Sequence, residues 1–325
     1  MRVMVTGATG FTGGHLARTL KARGHEVRAL VRDPAKAQAL AADGITISPG
    51  DLTDQGAITR AVDGCDVIYH IAAVYREAKH PDEYYRRINV GGTQHIVEAI
   101  ERDGAGRLVH CSTVGVHGDV EKIPSDESAP FAPGDIYQLS KLEGELFVQE
   151  RIKRGLRASI FRPQGIYGPG DRRFLKLFKT VYRGSFRMIG TGKPFYHMTY
   201  ISDLVDGIML CGEHPNALGQ TYVFGGPRYT SVGELVETVA RVEGKTLSKG
   251  HIPIAPLMAA ATVCELLCKP FGIEPPLYPR RLDFFVKDRA FSTAKAQREL
   301  GYQPKVDLEE GLRRTFEWYR AKGWL

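Results

Sequence analysis

Short apolar runs alternate, along the first half of the chain, with longer stretches in which apolar positions recur every three or four residues. The runs at 2–6, 26–31, 45–48, 66–70, 107–112 and 157–161 read as strands, some apolar almost without interruption, as expected where both faces of a sheet are covered. The stretches at 13–23, 34–42, 55–62, 82–102 and 135–154 read as helices. Their alternation predicts an α/β fold, a doubly wound parallel sheet of Rossmann type. Right-handed crossovers then place the strand C-termini and their loops along one ligand-binding edge. After "RPQGIYGPGD" the pattern loosens and Gly, Pro and aromatic residues become common. "YISDLVDGIML" and "QTYVF" supply one more helix and strand to the sheet, and the remainder from Gly226 reads as a smaller mixed C-terminal lobe over the substrate. The predicted division is 1–168 with 199–226 for a dinucleotide-binding domain, and 169–198 with 227–325 for a substrate-binding lobe. No internal repeat or low-complexity segment is visible.

The first strand-to-helix junction, "RVMVTGATGFTGGHLARTL", carries Gly7, Gly10 and Gly13 in a G-x-x-G-x-x-G spacing. Gly7 permits a tight turn, Gly10 lets a phosphate approach the backbone, and Gly13 lets the helix pack close to the strand. The helix N-terminus offers unpaired N–H groups to a pyrophosphate. With a strand before it, a helix after it and the strand "HEVRALVR" following at Rossmann distance, the spacing predicts nucleotide binding rather than a surface turn. Gly7, Thr9, Gly10, Phe11, Thr12 and Gly13 are the candidate contacts in this loop.

Composition narrows the class. At 325 residues, 43% hydrophobic and 25% charged, the chain reads as an ordinary soluble globular protein. The five cysteines form no C-x-x-C and have no histidine at metal-ligand spacing, which predicts a reducing, cytoplasmic setting and neither a disulfide framework nor a metal site. No signal peptide is expected. The net charge of +7 arises from Lys and Arg scattered among 37 acids, without a basic helix or an aromatic-basic ladder, so a basic cofactor or substrate cleft is expected and nucleic acid is not.

The second strand bears on the cofactor. An NAD site places Asp or Glu at its tip to accept from the ribose 2′-hydroxyl. Here "VRALVRDP" ends in Val31, followed by Arg32, a cation suited to a 2′-phosphate. Asp33 comes late and suits a helix cap after Pro34. NADP is therefore expected in preference to NAD. In "GDLTD", Asp51 and Leu52 are placed for the adenine edge, although a capping turn would read the same.

Tyr137 and Lys141 in "YQLSK" lie four apart, on one helix face. A phenol, ordinarily with a pKa of about 10, is a poor base at neutral pH, and a neighbouring ammonium favours its phenolate. Tyr137 is thus the candidate proton donor or acceptor for a carbonyl/alcohol pair. Lys141 is placed to hold the nicotinamide ribose as well. With 14 tyrosines in the chain, chance alone supplies about one such pair, and Tyr75 with Lys79 in "YREAK" is a second. Pro81 denies that pair a long helix, whereas Tyr137 opens one. Upstream, "RLVHCSTVGVHG" runs a strand into Ser112 and Thr113, and Thr113 can donate a hydrogen bond to the reacting oxygen.

The segments "TGATGFTGGHL", "GDLTD", "HIAA", "NVGGT", "STVGVHG", "YQLSK" and "RPQGIYGPGD" occur in this order over roughly the first 210 residues. In them the chain resembles the extended short-chain dehydrogenase/reductases of the NAD-dependent epimerase/dehydratase superfamily. The resemblance implies that Thr113, Tyr137 and Lys141 form a catalytic triad supported by Asn89. It also implies that Ala72 and Ala73 line the cofactor channel and that Pro163 and Ile166 contact the nicotinamide side. His117 stands where the family usually has Tyr. Tyr75, His117 and Tyr167 are the candidate substrate contacts, and His70 reads as a satisfied polar group.

The tail "IPIAPLMAAATVCELLCKPFGIEPPLYPRRLDFFVKDRAFSTAKAQRELGYQP" resembles the 3β-hydroxysteroid dehydrogenase-like branch. Its apolar stretch Ile252–Cys268 is too short for a membrane span and offers few donors to a sugar nucleotide. With Phe271, Ile273, Phe284 and Phe285 it is expected to wall the nicotinamide, to face a membrane or to form a buried core helix, while Arg280, Arg281 and Lys287 read as a solvated cluster or as partners of headgroups or a substrate carboxylate. The reading is an NADP(H)-dependent oxidoreductase of an apolar secondary alcohol or ketone, sterol- or terpenoid-like. The alternatives are a nucleotide-sugar 4-epimerase or dehydratase, and a catalytically silent NADP-binding regulator. Surplus apolar positions on 82–102 and 135–154, with the family's four-helix pairing, imply a homodimer.

Overall fold

The computed structural model describes residues 1–75, 80–104, 106–248, 250–271 and 275–325, apart from the side chains of Lys269, Arg280 and Arg281. Lys79 and Ile273 lie outside the described residues.

Seven strands form one parallel sheet: β1 (Arg2–Thr6), β2 (Glu26–Val31), β3 (Thr46–Pro49), β4 (Val67–His70), β5 (Arg107–Cys111), β6 (Ala158–Pro163) and β7 (Thr221–Phe224). Their order is β7-β6-β5-β4-β1-β2-β3. The order reverses between β1 and β4, where Val3 pairs with Val67 and Thr6 with His70. A crevice therefore opens beyond the C-terminal ends of these two strands.

Helices α1 (Phe11–Ala22), α2 (Gln55–Val62), α3 (Gly92–Asp103), α4 (Ile136–Lys153) and α5 (Ile201–Glu213) cover both faces of the sheet. The strand period of two divides the core between those faces. Val3, Val5, Val67, Tyr69, Val109 and Phe161 pack with Leu16 and Leu20 of α1 and Leu204 and Ile208 of α5. Met4, Ile68, Leu108 and Ile160 pack with Ile58 of α2, Ile96 and Ile100 of α3 and Val148 of α4. Both faces are buried, which is why these strands read as apolar runs rather than alternating ones.

The single helix expected over 82–102 is divided. A short turn at Asp82–Tyr85 passes into a wide π-helical turn at Arg86–Gly91 before α3 begins. The stretch at 34–42 likewise divides into a 3-10 turn, Pro34–Ala37, and a short helix, Gln38–Ala42. Beyond the sheet, α6 (Val232–Val242) and α8 (Leu308–Ala321) pack through Leu235, Val236, Leu312 and Phe316 onto the same core as α1 and α5.

Helix α7 (Ile254–Cys268) is not the buried core helix among the expectations. Ala261 is its only buried residue, and Leu266 and Leu267 are 65% and 66% exposed. Phe271 just beyond is 77% exposed. No described helix is long and apolar enough to cross a membrane.

Candidate active site

The glycine junction divides its tasks as backbone geometry requires. Gly7 takes φ +72°, the left-handed region open to glycine, and a Cβ there would meet the Ala72 backbone at 2.9 Å. A Cβ on Gly13 would lie 2.3 Å from Gly7 O, so only glycine lets α1 sit this close to β1. Helix α1 starts two residues earlier than its apolar period suggests, with Gly10 at the N-cap. Its first backbone bond runs from Gly14 N to Gly10 O at 3.0 Å, leaving the N–H groups of Phe11, Thr12 and Gly13 ahead of the ladder. Thr9 and Gly10 are exposed beside them. This cradle of unpaired N–H groups fits a pyrophosphate.

At the tip of β2, Arg32 is exposed. Asp33 is committed elsewhere: its Oδ1 caps the following turn by accepting from Ala35 N at 3.1 Å. Asp51 Oδ1 accepts from Thr53 N (2.9 Å) and Thr53 Oγ1 (2.8 Å), a local turn, while the cap of α2 falls to Asp54. Leu52 is buried against Gly92. Ala73 is exposed beyond β4.

Thr6 joins this cradle to the interior. Its hydroxyl accepts from Ile71 N and Ala72 N, both at 3.1 Å, and meets His70 Nδ1 at 2.9 Å. Thr93 Oγ1 donates to Asn89 O (2.7 Å), so His70 Nε2 must donate to Thr93 (3.1 Å) and Nδ1 must accept from Thr6. Burial, with the Lys141 charge as a lesser cause, pulls the His70 pKa down to about 3, which keeps this neutral tautomer.

A cavity of about 160 Å³ opens beside the cradle. Thr113, Tyr137, Pro163 and Ile166 line it together with Tyr75. Thr113 Oγ1 accepts from Gly115 N at 3.1 Å, which leaves the hydroxyl proton available to a carbonyl oxygen in the cleft. Tyr137 sits in the first turn of α4, where capping is reciprocal. Asp135 Oδ1 accepts from Gln138 N (2.8 Å), and Gln138 Oε1 accepts from Gly134 N (2.7 Å). Lys141, one turn on, is buried, and desolvation holds its ammonium below the usual lysine range. Tyr75 stands edge-on to Tyr137.

Asn89 is buried in the wide turn and clasps two elements. Its Oδ1 accepts from Val74 N (2.8 Å), while Nδ2 donates to Val74 O (3.2 Å) and to Ser140 Oγ (2.9 Å). The loop after β4, which carries Tyr75, is thereby tied to α4 next to Lys141. Gly144 permits the close approach, since a Cβ there would meet Asn89 O at 3.0 Å.

His117 and Tyr167, expected as substrate contacts, are buried and do not line the cleft. Arg162 Nη1 donates to His117 Nε2 at 2.9 Å, so His117 Nδ1 donates to Pro130 O at 3.2 Å. Arg162 also pairs with Glu145 inside the protein, and Ser112 donates to that carboxylate. His117 thus completes a buried polar cluster. Tyr167 packs on Tyr200, with ring centroids 5.5 Å apart. The stretch Ile252–Cys268 contributes nothing to the lining. Sequence reasoning missed Gln138, Gln164, Arg173, Phe174, Tyr196 and Arg289, which do line it. Gln138 and Gln164 lay inside the segments "YQLSK" and "RPQGIYGPGD", Arg173 just after the latter and Arg289 inside the tail segment, where nothing local marks it as a cleft residue.

The family model described as NAD dependent epimerase/dehydratase matches residues 3–225. A 3 beta-hydroxysteroid dehydrogenase/Delta 5-->4-isomerase of Mycobacterium tuberculosis is 32% identical, over 98% of this chain and 90% of its own. A 2-alkyl-3-oxoalkanoate reductase of Stenotrophomonas maltophilia is 30% identical, over 97% of this chain and 98% of its own. Among solved structures, the dTDP-glucose 4,6-dehydratase DesIV of Streptomyces venezuelae, with NAD bound, superimposes with a TM-score of 0.79 at 26% identity, over 100% of this chain and 98% of its own.

Proposed function

The chain belongs to the NAD-dependent epimerase/dehydratase family, and within it we propose an NADP(H)-dependent oxidoreductase of an apolar secondary alcohol or ketone, sterol- or terpenoid-like in character. The observation that carries this reading is the placement of Thr113 and Tyr137 in one cleft, with Lys141 buried one helical turn behind Tyr137. The relatives at 30–32% identity, named as a hydroxysteroid dehydrogenase and an oxoalkanoate reductase, support it.

The residues divide the work as follows. Gly7, Gly10 and the first turn of α1 hold the pyrophosphate, Arg32 takes the 2′-phosphate, and Asp51 with Leu52 borders the adenine. Ala72, Ala73, Pro163 and Ile166 flank the nicotinamide, which supplies or accepts the hydride when bound. Thr113 donates to the substrate oxygen and Tyr137 exchanges its proton with that oxygen. Lys141 favours the phenolate and holds the ribose, and Asn89 positions the helix that bears them.

On this reading the chain divides into a cofactor domain (1–168 with 199–226) and a substrate lobe (169–198 with 227–325). The lobe segments hold 23 Lys and Arg against 13 Asp and Glu, and the rest of the chain 21 against 24. The exposed apolar helix α7 therefore projects from the cationic part of the molecule. It rests on an anionic lipid surface in the cytoplasm, apolar side chains in the headgroup region and cations around them. Cosedimentation with phosphatidylglycerol vesicles, lost on Leu266→Glu with Leu267→Glu, is the expected outcome. Retention by that variant, or equal binding to neutral vesicles, overturns it. The protein pairs as a homodimer through α3 and α4, where Leu146 is exposed; sedimentation as a monomer at micromolar concentration contradicts this.

The decisive experiment is cofactor-dependent turnover across sterols, aromatic ketones and UDP- or dTDP-sugars. Oxidation or reduction of the apolar members is expected. Turnover of the sugar nucleotides alone replaces this reading with the epimerase or dehydratase alternative.

A further inference from the structure

The cleft contains two arginines and, among the described lining residues, no Asp or Glu. Their partners differ. Arg173 is matched one to one with Asp171: Nε donates to Oδ1 at 2.7 Å, and Nη2 donates to Ile166 O at 2.8 Å. Among the described residues Arg289 is not matched. Its Nη2 reaches Asp283 Oδ2 at 3.2 Å, and the same oxygen lies 3.1 Å from Lys287 Nζ. One carboxylate thus serves two cations. Asp288, the preceding residue, accepts from Phe195 N at 2.6 Å and does not line the cleft. The Arg289 side chain is only 11% exposed, and its buried Nε–H has no partner among the described residues. A buried guanidinium with an unmet donor and a surplus positive charge is costly unless a ligand supplies an acceptor.

We propose that Arg289 receives a carboxylate of the substrate, which makes the substrate an apolar hydroxy acid or oxo acid rather than an uncharged alcohol or ketone. This rests on the oxidoreductase reading of the same cleft. A carboxylate carries one negative charge, which balances the one surplus cation, and two oxygens suited to the fork of a guanidinium. A pyrophosphate would bring twice that charge. The cavity of about 160 Å³ is small, so the oxygen at Tyr137 and the carboxylate at Arg289 belong to one compact polar head. Phe174, Tyr196 and Tyr75, also in the lining, offer aromatic surface to the apolar remainder. A 3-hydroxy acid has this arrangement.

The test measures equilibrium binding to the NADP-loaded protein of 3-hydroxydodecanoate, its methyl ester and UDP-glucose, together with NADP-dependent oxidation of the first two. The acid is expected to bind at least ten-fold more tightly than the ester. Arg289→Gln should abolish the difference, and Arg289→Lys should keep part of it, with NADP affinity unchanged in both. Equal binding of acid and ester to the wild type overturns the proposal, as does a preference that survives Arg289→Gln. Arg289-dependent binding of UDP-glucose in place of the acid overturns the carboxylate assignment. Arg289-dependent binding of the acid without any oxidation upholds the anion site while removing the oxidoreductase reading. Oxidation of the ester as efficiently as the acid, unaffected by Arg289→Gln, does the reverse.

Discussion

The ring of Tyr75 meets the ring of Tyr137 edge to face, with centroids 4.9 Å apart and planes at 79°. The two phenols share a cleft, and Tyr137 has the buried Lys141 one helical turn away. Tyr137→Phe keeps the ring contact and removes the proton-carrying oxygen. Turnover should fall by about 10²–10⁴-fold with NADP binding preserved. Tyr75→Phe also keeps the ring, and most activity should remain. Steady-state kinetics of both variants, with cofactor titration by fluorescence, check the pair; near-normal turnover by Tyr137→Phe would refute the assigned chemistry.

At the β2 tip, Asp33 caps its own turn and Arg32 is left beside the expected ribose site. NADPH should bind more tightly than NADH by about 1–3 kcal/mol, the range for a charge-assisted contact. Arg32→Ala should narrow the gap from the NADPH side. Equal affinities in the wild type at fixed salt would sink the claim.

Asn89 makes three hydrogen bonds that fasten Val74 to Ser140. Asn89→Ala removes both bonds to the half-buried Val74 backbone and the one to Ser140 Oγ, which keeps its bond to Tyr137 O, at a cost of about 1–3 kcal/mol for each group left unsatisfied before relaxation. We expect a lower melting temperature and a fall in kcat of at least ten-fold, with the NADP dissociation constant changed far less. A variant that loses stability but keeps kcat would confine Asn89 to a structural role.

Stability should fall on the acid side. Burial holds His70, His110, His117 and His197 below the ordinary histidine pKa. Below about pH 6.5 the unfolded chain binds protons that the folded chain refuses, so stability decreases as pH falls. For His70, with its pKa pulled to about 3, the loss at pH 5 is about 2 kcal/mol. Melting temperatures should be flat from pH 8 to 7 and decline towards pH 5. The decline should be shallower in His110→Leu, because both ring nitrogens of His110 are buried without partners among the described residues. A flat profile down to pH 5 would contradict the assignment of these histidines as neutral.

Strand positions were legible because a sheet covered on both faces needs apolar residues at successive positions, as in Val3, Met4 and Val5. The glycine junction was legible because its geometry tolerates no Cβ at Gly13. The break at Arg86–Gly91 was not, since a wide turn continues the apolar pattern that a regular helix would show. Composition also could not assign Ile252–Cys268 a destination, because a helix apolar all round reads alike whether it is buried or exposed. Arg289 escaped for another reason. What distinguishes it is the shortage of carboxylates around it, and that shortage arises only when Arg289, Asp283 and Lys287 meet beside the cleft.

The wide turn also acts on angular phase. In a regular α-helix each residue advances the side-chain direction by about 100°. A π turn admits additional chain without completing an additional α-helical turn, so the azimuth of everything after it is offset. Here Asn89 points towards Val74 and Ser140, while Ile96, Val97 and Ile100, later in the same segment, point towards the sheet. One uninterrupted helix would have to choose between those two directions. Removing a single residue from 86–91 would leave composition and hydropathy almost unchanged, yet it would rotate α3 by roughly a quarter turn relative to Asn89. Either the clasp or the core contact would then be lost. Length in this segment is therefore under tighter constraint than the identity of most of its side chains.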